Sequence, residues 1–244
     1  GGKDHLEVWM PTQSGPSFQA LAKKRYGLEK DQLTIHVKRM GGSFGRRTSG
    51  EYVCEAIELS KLSGQPVKLT WSREDSMRQD FFREGGFCRL RGAVTQDGKL
   101  AAWEEHTIGT ALDGKPSRWT GVHPSTFPIA TSAHARGSLT TYPMDTPSGP
   151  WRAPFSNTHA FVSQCFINEL AEAAGRDHVE LLIEMMGEPR WLKPDDIRTL
   201  NTERAIGVIK LAAAKGGWGR PMPAGRGLGV AFYFCHAAHV AELA

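Results

Sequence analysis

The 244-residue chain has only four cysteines, Cys54, Cys88, Cys165 and Cys235, and no two of them stand in a CxxC spacing. That scarcity argues against a zinc site, an iron–sulfur cluster held by this chain, and a dense disulfide framework. Each cysteine is expected to pack as a small hydrophobe. No stretch approaches the ~20 apolar residues of a spanning helix, and no secretory leader is visible. The longest basic run is Lys23-Lys24-Arg25, too short for a nucleic-acid or membrane footprint. Internal repeats and low-complexity segments are absent, as are the Walker A loop and the GxGxxG fingerprint. What is present is ordinary for a globular chain: 40% hydrophobic, 23% charged, net +4. Its length allows one large domain or two small ones.

Leu6, Val8 and Met10 alternate as a short strand running into Pro11-Thr12-Gln13. Ser14 caps a helix through Tyr26, with Phe18, Leu21 and Ala22 on one face and Gly27 as its stop. Leu33, Ile35 and Val37 predict a second strand, and Val67, Leu69 and Trp71 another. Between those two, Ser49 opens a helix with Val53, Ala56, Ile57 and Leu59 inward, ended by Gly64. Residues Gly86 to Gly109 read as a hairpin around Asp97-Gly98. The following fifty residues lack periodicity and are read as a long loop. Asn157 then caps a helix through Ala174, and Asp177 caps another ending near Met186. A Pro-containing linker from Gly187 to Asp196, a helix from Thr202 to Lys215 and an apolar strand from Leu228 to Val240 complete the chain. Helices mixed with hairpins predict an α+β fold, not a doubly wound parallel sheet.

The segment richest in chemistry is Met40-Gly41-Gly42-Ser43-Phe44-Gly45-Arg46-Arg47, a glycine turn between strand and helix. Glycines allow positive φ and close backbone approach, so successive N–H groups can converge on an anion or oxo group. The next helix is expected to add its N-terminal dipole, and Arg46 and Arg47 charge-assisted bonds to phosphate. Phe44, a large aromatic between glycines, is either a core anchor or a pocket wall.

In order along the chain, Thr12-Gln13, a helix, the strand ending Val37-Lys38-Arg39-Met40 and then Gly-Gly-Ser-Phe-Gly resemble the large subunit of the molybdopterin-dependent hydroxylases, the xanthine dehydrogenase and aldehyde oxidase family. Gly149-Pro150-Trp151-Arg152-Ala153-Pro154-Phe155, followed by a helix ending Asn168-Glu169-Leu170-Ala171, resembles that family's second signature. The Gly-Arg-Arg and Gly-Pro-Trp-Arg-Ala-Pro versions look most like the isoquinoline 1-oxidoreductase β-subunit branch. The resemblance implies a molybdenum cofactor-binding domain, mixed sheets with packed helices and incomplete at both ends. Residues 1–186 would be a first molybdopterin-binding domain, and 187–244 a linker and the start of a second.

It further implies cofactor contacts from Gln13, Gly41, Gly42, Ser43, Phe44, Gly45 and Arg152. Gln13, Phe44 and Arg152 would lie near molybdenum without ligating it, and Phe155 would line the substrate pocket. A glutamine suits its place because its NH₂ donates without adding charge. Thr48 stands where xanthine-oxidising members carry a glutamate, which argues against a purine substrate. No catalytic base is found here: Glu242 sits in an apolar strand, and the family's base glutamate is expected downstream. His236 and His239, three apart in a strand, would face opposite ways and not chelate together.

The expected activity is oxidation of an N-heterocycle or aldehyde with water-derived oxygen, with electrons passing to a small [2Fe-2S] subunit. The expected cofactor is molybdopterin cytosine dinucleotide, in the bacterial cytoplasm or periplasm. The start at Gly1-Gly2-Lys3-Asp4 without Met and the apolar end predict a piece inactive alone. Two alternatives stand beside this: a non-catalytic scaffold or cofactor-assembly module, and a nucleic-acid clamp using Gly42-Ser43-Phe44-Gly45 as a GxxG loop.

Overall fold

The computed structural model describes residues 5–112, 114–117 and 121–244. Residues 1–4, on which the expectation about the start rests, lie outside them. The chain divides into two compact units, residues 1–83 with 145–154, and residues 84–144 with 155–244.

In the first unit, β1 (Leu6–Met10) pairs in parallel with β2 (Leu33–Val37), Leu6 opposite Leu33 and Met10 opposite Val37. A parallel pair needs a crossover, here α1 (Gly15–Tyr26). Its ends are written in sequence. Ser14 Oγ accepts from the Ser17 N–H at 3.3 Å, Pro16 sits in the first turn, and Gly27 closes the helix at φ 70°. Phe18 and Ala22 of α1 meet Val8 and Met10 of β1 and Val53 and Ile57 of α2 (Glu51–Ser63), forming a small core. Three sequence expectations fail here. Gly50, not Ser49, precedes α2, and Leu59 points to solvent at 43% exposure, while Cys54 takes the inward position. The Val67–Trp71 segment forms no ladder and instead faces β1 and α2 across a cleft of about 850 Å³. A short helix, α3 (Arg73–Gln79), follows it with a reciprocal Ser72–Asp75 cap that the hydrophobic pattern did not announce.

The second unit holds a larger core. The expected hairpin is present as β3 (Phe87–Val94) and β4 (Leu100–Leu112), turning at Gly98 with φ 78°. The stretch expected to be a long loop is partly ordered. The short β5 (Lys115–Pro116) and the nine-residue β6 (Ala135–Pro143) both pair with β4, β6 in parallel. Asp113 and residues 118–120, also within that stretch, lie outside the described residues. The β6 strand escaped notice because most of it is exposed, so hydrophobic alternation is lost.

Helix α4 (Ser156–Ala173) starts one residue before the expected cap Asn157. It packs with α5 (His178–Met186), capped by Asp177, and α6 (Thr202–Gly216), capped by Asn201. Trp103, Ile167, Leu181, Leu182, Met186, Ile209 and Phe232 are nearly sealed from solvent there, each with relative exposure of 1% or less. The terminal apolar run is not one strand. It folds as an antiparallel hairpin, β7 (Val230–Cys235) and β8 (Ala238–Leu243), whose turn places His236 at φ 52° and Ala237 at φ 62°. Two consecutive positive φ values are the two-residue hairpin geometry whose twist suits the flanking strands. The opposite-faces reading of His236 and His239 therefore gives way: His236 occupies the turn and His239 belongs to β8.

Candidate functional site

The glycine loop of the first unit is tied to the Thr12-Gln13 step by a compact set of bonds. The Gln13 N–H donates to the Arg47 carbonyl at 2.9 Å, and Thr12 Oγ1 donates to the same carbonyl at 3.2 Å. The Gly45 N–H donates to Gln13 Oε1 at 3.1 Å. A backbone N–H can only donate, so the atom facing it is the amide oxygen, which fixes which way the side chain is turned. The Gln13 NH₂ is thereby directed away from the loop, on an exposed residue, with its donors available. Tyr52 Oη steadies the step by donating to the Pro11 carbonyl at 2.8 Å.

The loop's other face is held by the returning segment 145–154. The Arg152 N–H donates to the Phe44 carbonyl at 2.7 Å, and the Arg152 guanidinium lies 5.5 Å from the Phe44 ring centre. Arg83 donates to the Trp151 and Arg152 carbonyls and covers the Trp151 ring at 5.0 Å. Phe82 and Ser148 form a parallel bridge, with the Phe82 N–H donating to the Pro147 carbonyl at 2.9 Å. This close approach dictates a glycine at position 45: its φ is +101°, and a Cβ there would stand 2.5 Å from the Pro150 carbonyl oxygen.

Phe44, Arg152 and Ala153 are not glycine yet hold φ of 50°, 32° and 51°. Left-handed conformations in bulky residues cost of the order of 1–3 kcal/mol each and persist where surrounding contacts over-determine them. They hold Phe44 (57% exposed) and Arg152 outward from their loops. Gly41 and Gly42 are exposed, and Ser43 donates to Met40 Sδ at 3.3 Å. Gln13, the 41–45 loop and Arg152 therefore share one contiguous patch. Its outward donors are a neutral amide and a guanidinium, a set matched to oxygen ligands and oxyanions.

One part of the sequence reading does not hold. Arg46 is not offered to a phosphate: its guanidinium engages Asp80 and Glu51 and lies 4.6 Å over the Phe81 ring. The first turn of α2 carries the acidic Glu51, which already accepts from Arg46. The Arg47 guanidinium lies over the Tyr52 ring at 4.7 Å. Thr48, noted for replacing a glutamate, closes a turn by donating through Oγ1 to the Gly45 carbonyl at 2.7 Å.

Phe155 belongs to the second unit, at the start of α4. Its ring stacks on His159 with centroids 4.1 Å apart. His159 Nδ1 in turn lies 2.9 Å from Glu105 Oε1, both side chains being almost fully buried. Sequence reasoning missed Glu105 and Arg83; a carboxylate in mid-strand at Glu105 was the one available signal. Among the described residues no three His, Cys, Asp or Glu side chains converge as metal ligands. His239 accepts from the Asn201 N–H at 3.0 Å, and His236 Nδ1 contacts Cys235 Sγ at 2.7 Å.

This geometry joins two loops that sequence alone could only list in order. The model of the family described as "Molybdopterin cofactor-binding domain" matches residues 1–184. The chain belongs to that family. This molybdopterin cofactor-binding chain is 27% identical, over 241 residues, to isoquinoline 1-oxidoreductase subunit beta from Brevundimonas diminuta, covering 96% of the chain and 30% of that relative. It is 26% identical to a membrane-bound aldehyde dehydrogenase [pyrroloquinoline-quinone] of Gluconacetobacter polyoxogenes, covering 85% of the chain and 29% of the relative.

Among solved structures, quinoline 2-oxidoreductase from Pseudomonas putida 86 superposes with a TM-score of 0.69 at 18% identity, covering 94% of the chain and 32% of its own. The aldehyde oxidoreductase of Desulfovibrio gigas does so at 0.68 and 18%, covering 95% and 27%. The expected α+β molybdenum cofactor-binding fold is the one found, and the chain spans about 30% of the length of these relatives. Among the described residues no helix is long and apolar enough to cross a membrane.

Proposed function

We propose that the chain is the cofactor-facing part of a molybdenum hydroxylase large subunit that oxidises an N-heterocycle or an aldehyde. The observation that carries this reading is the Gln13 amide, oriented by the Gly45 N–H so that its NH₂ faces outward beside a loop locked to Arg152. Molybdopterin, when bound, supplies the two-electron redox chemistry. The chain's own residues hold and orient it. Gln13 would donate a neutral hydrogen bond to the bound group, the 41–45 backbone would lie against it with Phe44 as a wall, and Arg152 would add positive charge. Phe155 lines the substrate pocket.

On the same reading the cofactor is the cytosine dinucleotide form, electrons leave through a [2Fe-2S] partner subunit, and the base glutamate comes from sequence beyond this chain. The enzyme works in the bacterial cytoplasm or periplasm. Residues 1–186 constitute a first cofactor-binding domain, and 187–244 open a second. The 244 residues alone would then show no hydroxylase activity with a dye acceptor.

The test is Gly42→Val in the complete subunit. Gly42 has φ +138°, and a Cβ there would already meet the Phe44 ring at 3.1 Å, so a β-branched side chain displaces Phe44. Molybdenum and nucleotide released on denaturation should fall to near zero while far-UV helicity stays at the wild-type level. Wild-type molybdenum content in that variant would overturn the reading.

A further inference from the structure

A carboxylate stands where the fold has no ordinary use for one. Glu105 lies on β4 between β3 and β6, opposite Leu90 on one side and Gly137 on the other, at 3% exposure. A buried carboxylate is strongly unfavourable unless paired. Its neighbour is His159 Nδ1 at 2.9 Å, and Glu105 Oε1 has no hydrogen bond in line with it. Its charge is felt around it: burial, then Cys235 and Glu105, push the Tyr233 hydroxyl above its usual range, and burial with Glu105 raises the Cys88 thiol against the opposing Thr107 bond.

His159 is itself held from three sides. Its N–H completes the first turn of α4 to the Phe155 carbonyl, its carbonyl accepts from Ser163 Oγ at 2.6 Å, and its ring lies against the Phe155 ring at 4.1 Å and 30°. Phe155 has no other aromatic neighbour among the described residues, and the helix N-terminus it occupies has no side-chain cap.

We infer that Glu105 and His159 are positioning residues for the Phe155 ring. The carboxylate anchors the imidazole through their 2.9 Å contact, and the imidazole in turn supports the aromatic face offered at the start of α4. The inference rests on the reading of Phe155 as a substrate-pocket aromatic, and it gives that reading a specificity element: a planar ring held by a second planar ring favours flat, aromatic N-heterocycles over aliphatic aldehydes. A merely structural pair would pin α4 to the sheet and leave the Phe155 ring indifferent.

The experiment places 4-fluorophenylalanine at position 155 of the 244-residue chain and reads its ¹⁹F line in the folded protein. Glu105→Gln, which never touches Phe155, should move that line by more than its width and broaden it. An unmoved line in folded Glu105→Gln overturns the inference. Should that variant not fold, two paired replacements remove both buried polar groups together. Glu105→Leu with His159→Phe keeps a ring against Phe155 and should leave a narrow line, whereas Glu105→Leu with His159→Leu should broaden it. Equal widths in the two overturn the inference.

In the complete subunit Glu105→Gln should raise KM for an N-heterocycle roughly threefold to tenfold, the size of an aromatic pair's contribution, with kcat and the KM for an aliphatic aldehyde little changed. An unchanged KM beside a displaced line overturns the link to substrate. A subunit that never holds molybdenum overturns the proposed function and leaves the ¹⁹F result standing.

Discussion

The two units solve opposite problems. The second is built for stability: Trp103, Ile167, Leu181, Leu182, Met186 and Ile209 are sealed inside three helices and two sheets. The first has a modest core around Phe18 and Met10 and places Phe44, Arg152 and Ala153 at positive φ in the two loops of its exposed patch, whereas the second unit's three such residues, Asp195, His236 and Ala237, sit in connecting turns. The difference teaches where precision comes from when a core is small. In the first unit the geometry is set by polar cross-ties, Gln13 to Gly45, Phe44 to Arg152 and Arg46 to Asp80 and Glu51. Deleting core volume should therefore damage the second unit most, and disturbing single backbone positions should damage the first.

The largest effect is expected from Leu182→Ala. Leu182 is fully buried, so the lost transfer energy and the cavity together should cost ~2–5 kcal/mol. A denaturant midpoint that hardly moves would break the comparison, because the larger core would then not be the stabilising one. Next comes Gly45→Ala in the first unit. The contact with the Pro150 carbonyl and the positive φ force the two loops apart, at a cost of about 1–3 kcal/mol from backbone strain. The loss should appear as rapid amide exchange at Gly45 and Arg152, with the helices of the second unit unaffected. Exchange spread evenly through both units would contradict it.

How much was legible in sequence follows the same division. Helix ends written by Ser14, Gly27, Gly64 and Asp177 were read correctly because a cap is a local event, decided within four residues. The order of the glycine loop and the Gly149–Phe155 segment was legible as a motif. The bonds joining them were not, since they span more than a hundred residues and use backbone atoms that every sequence shares. Arg46 was misread for a related reason. A cation beside a glycine turn suits phosphate, and only the fold reveals that Asp80 and Glu51 already claim it. Leu59 was assigned inward from periodicity, yet α2 turns Cys54 to the core instead. Leu59→Ala should thus change stability by no more than about 0.5 kcal/mol, the usual surface value, and a cost near that of Leu182→Ala would restore the original reading.

A smaller effect separates the units by pH. In the second unit burial lowers the His178 pKa from its ordinary 6.5 while its Nε2 bonds the Val230 carbonyl at 2.9 Å. Burial, followed by the positive Arg204, lowers His239, whose Nε2 must stay unprotonated to accept from the Asn201 N–H. With folded pKa values below the unfolded ones, the unfolded chain binds the extra protons. Stability from these groups is complete above about pH 6.5 and is lost as pH falls through the folded values. The melting temperature of the α4–α6 region should therefore fall between neutral and mildly acid pH. His178→Gln with His239→Gln should flatten that slope, and an unchanged slope would assign the acid sensitivity elsewhere.

A change at one exposed side chain sharpens the comparison most. Gln13 is exposed, contributes nothing to the core, and among the described residues makes one side-chain bond, accepting from the Gly45 N–H. Gln13→Ala deletes that bond and the outward NH₂ together, so the 244-residue chain should lose only ~0.5–1.5 kcal/mol, the net worth of one neutral hydrogen bond. Gln13→Glu separates the two roles. Its carboxylate still accepts from Gly45, so stability should stay within a few tenths of wild type, but it has no donor and carries a negative charge toward whatever the patch holds. In the complete subunit Gln13→Ala should then keep the cofactor and slow turnover, while Gln13→Glu should lose cofactor despite being the more stable protein. If stability and cofactor retention instead rise and fall together across the two variants, the outward amide is only a strut for the glycine loop, and the first unit differs from the second in size alone.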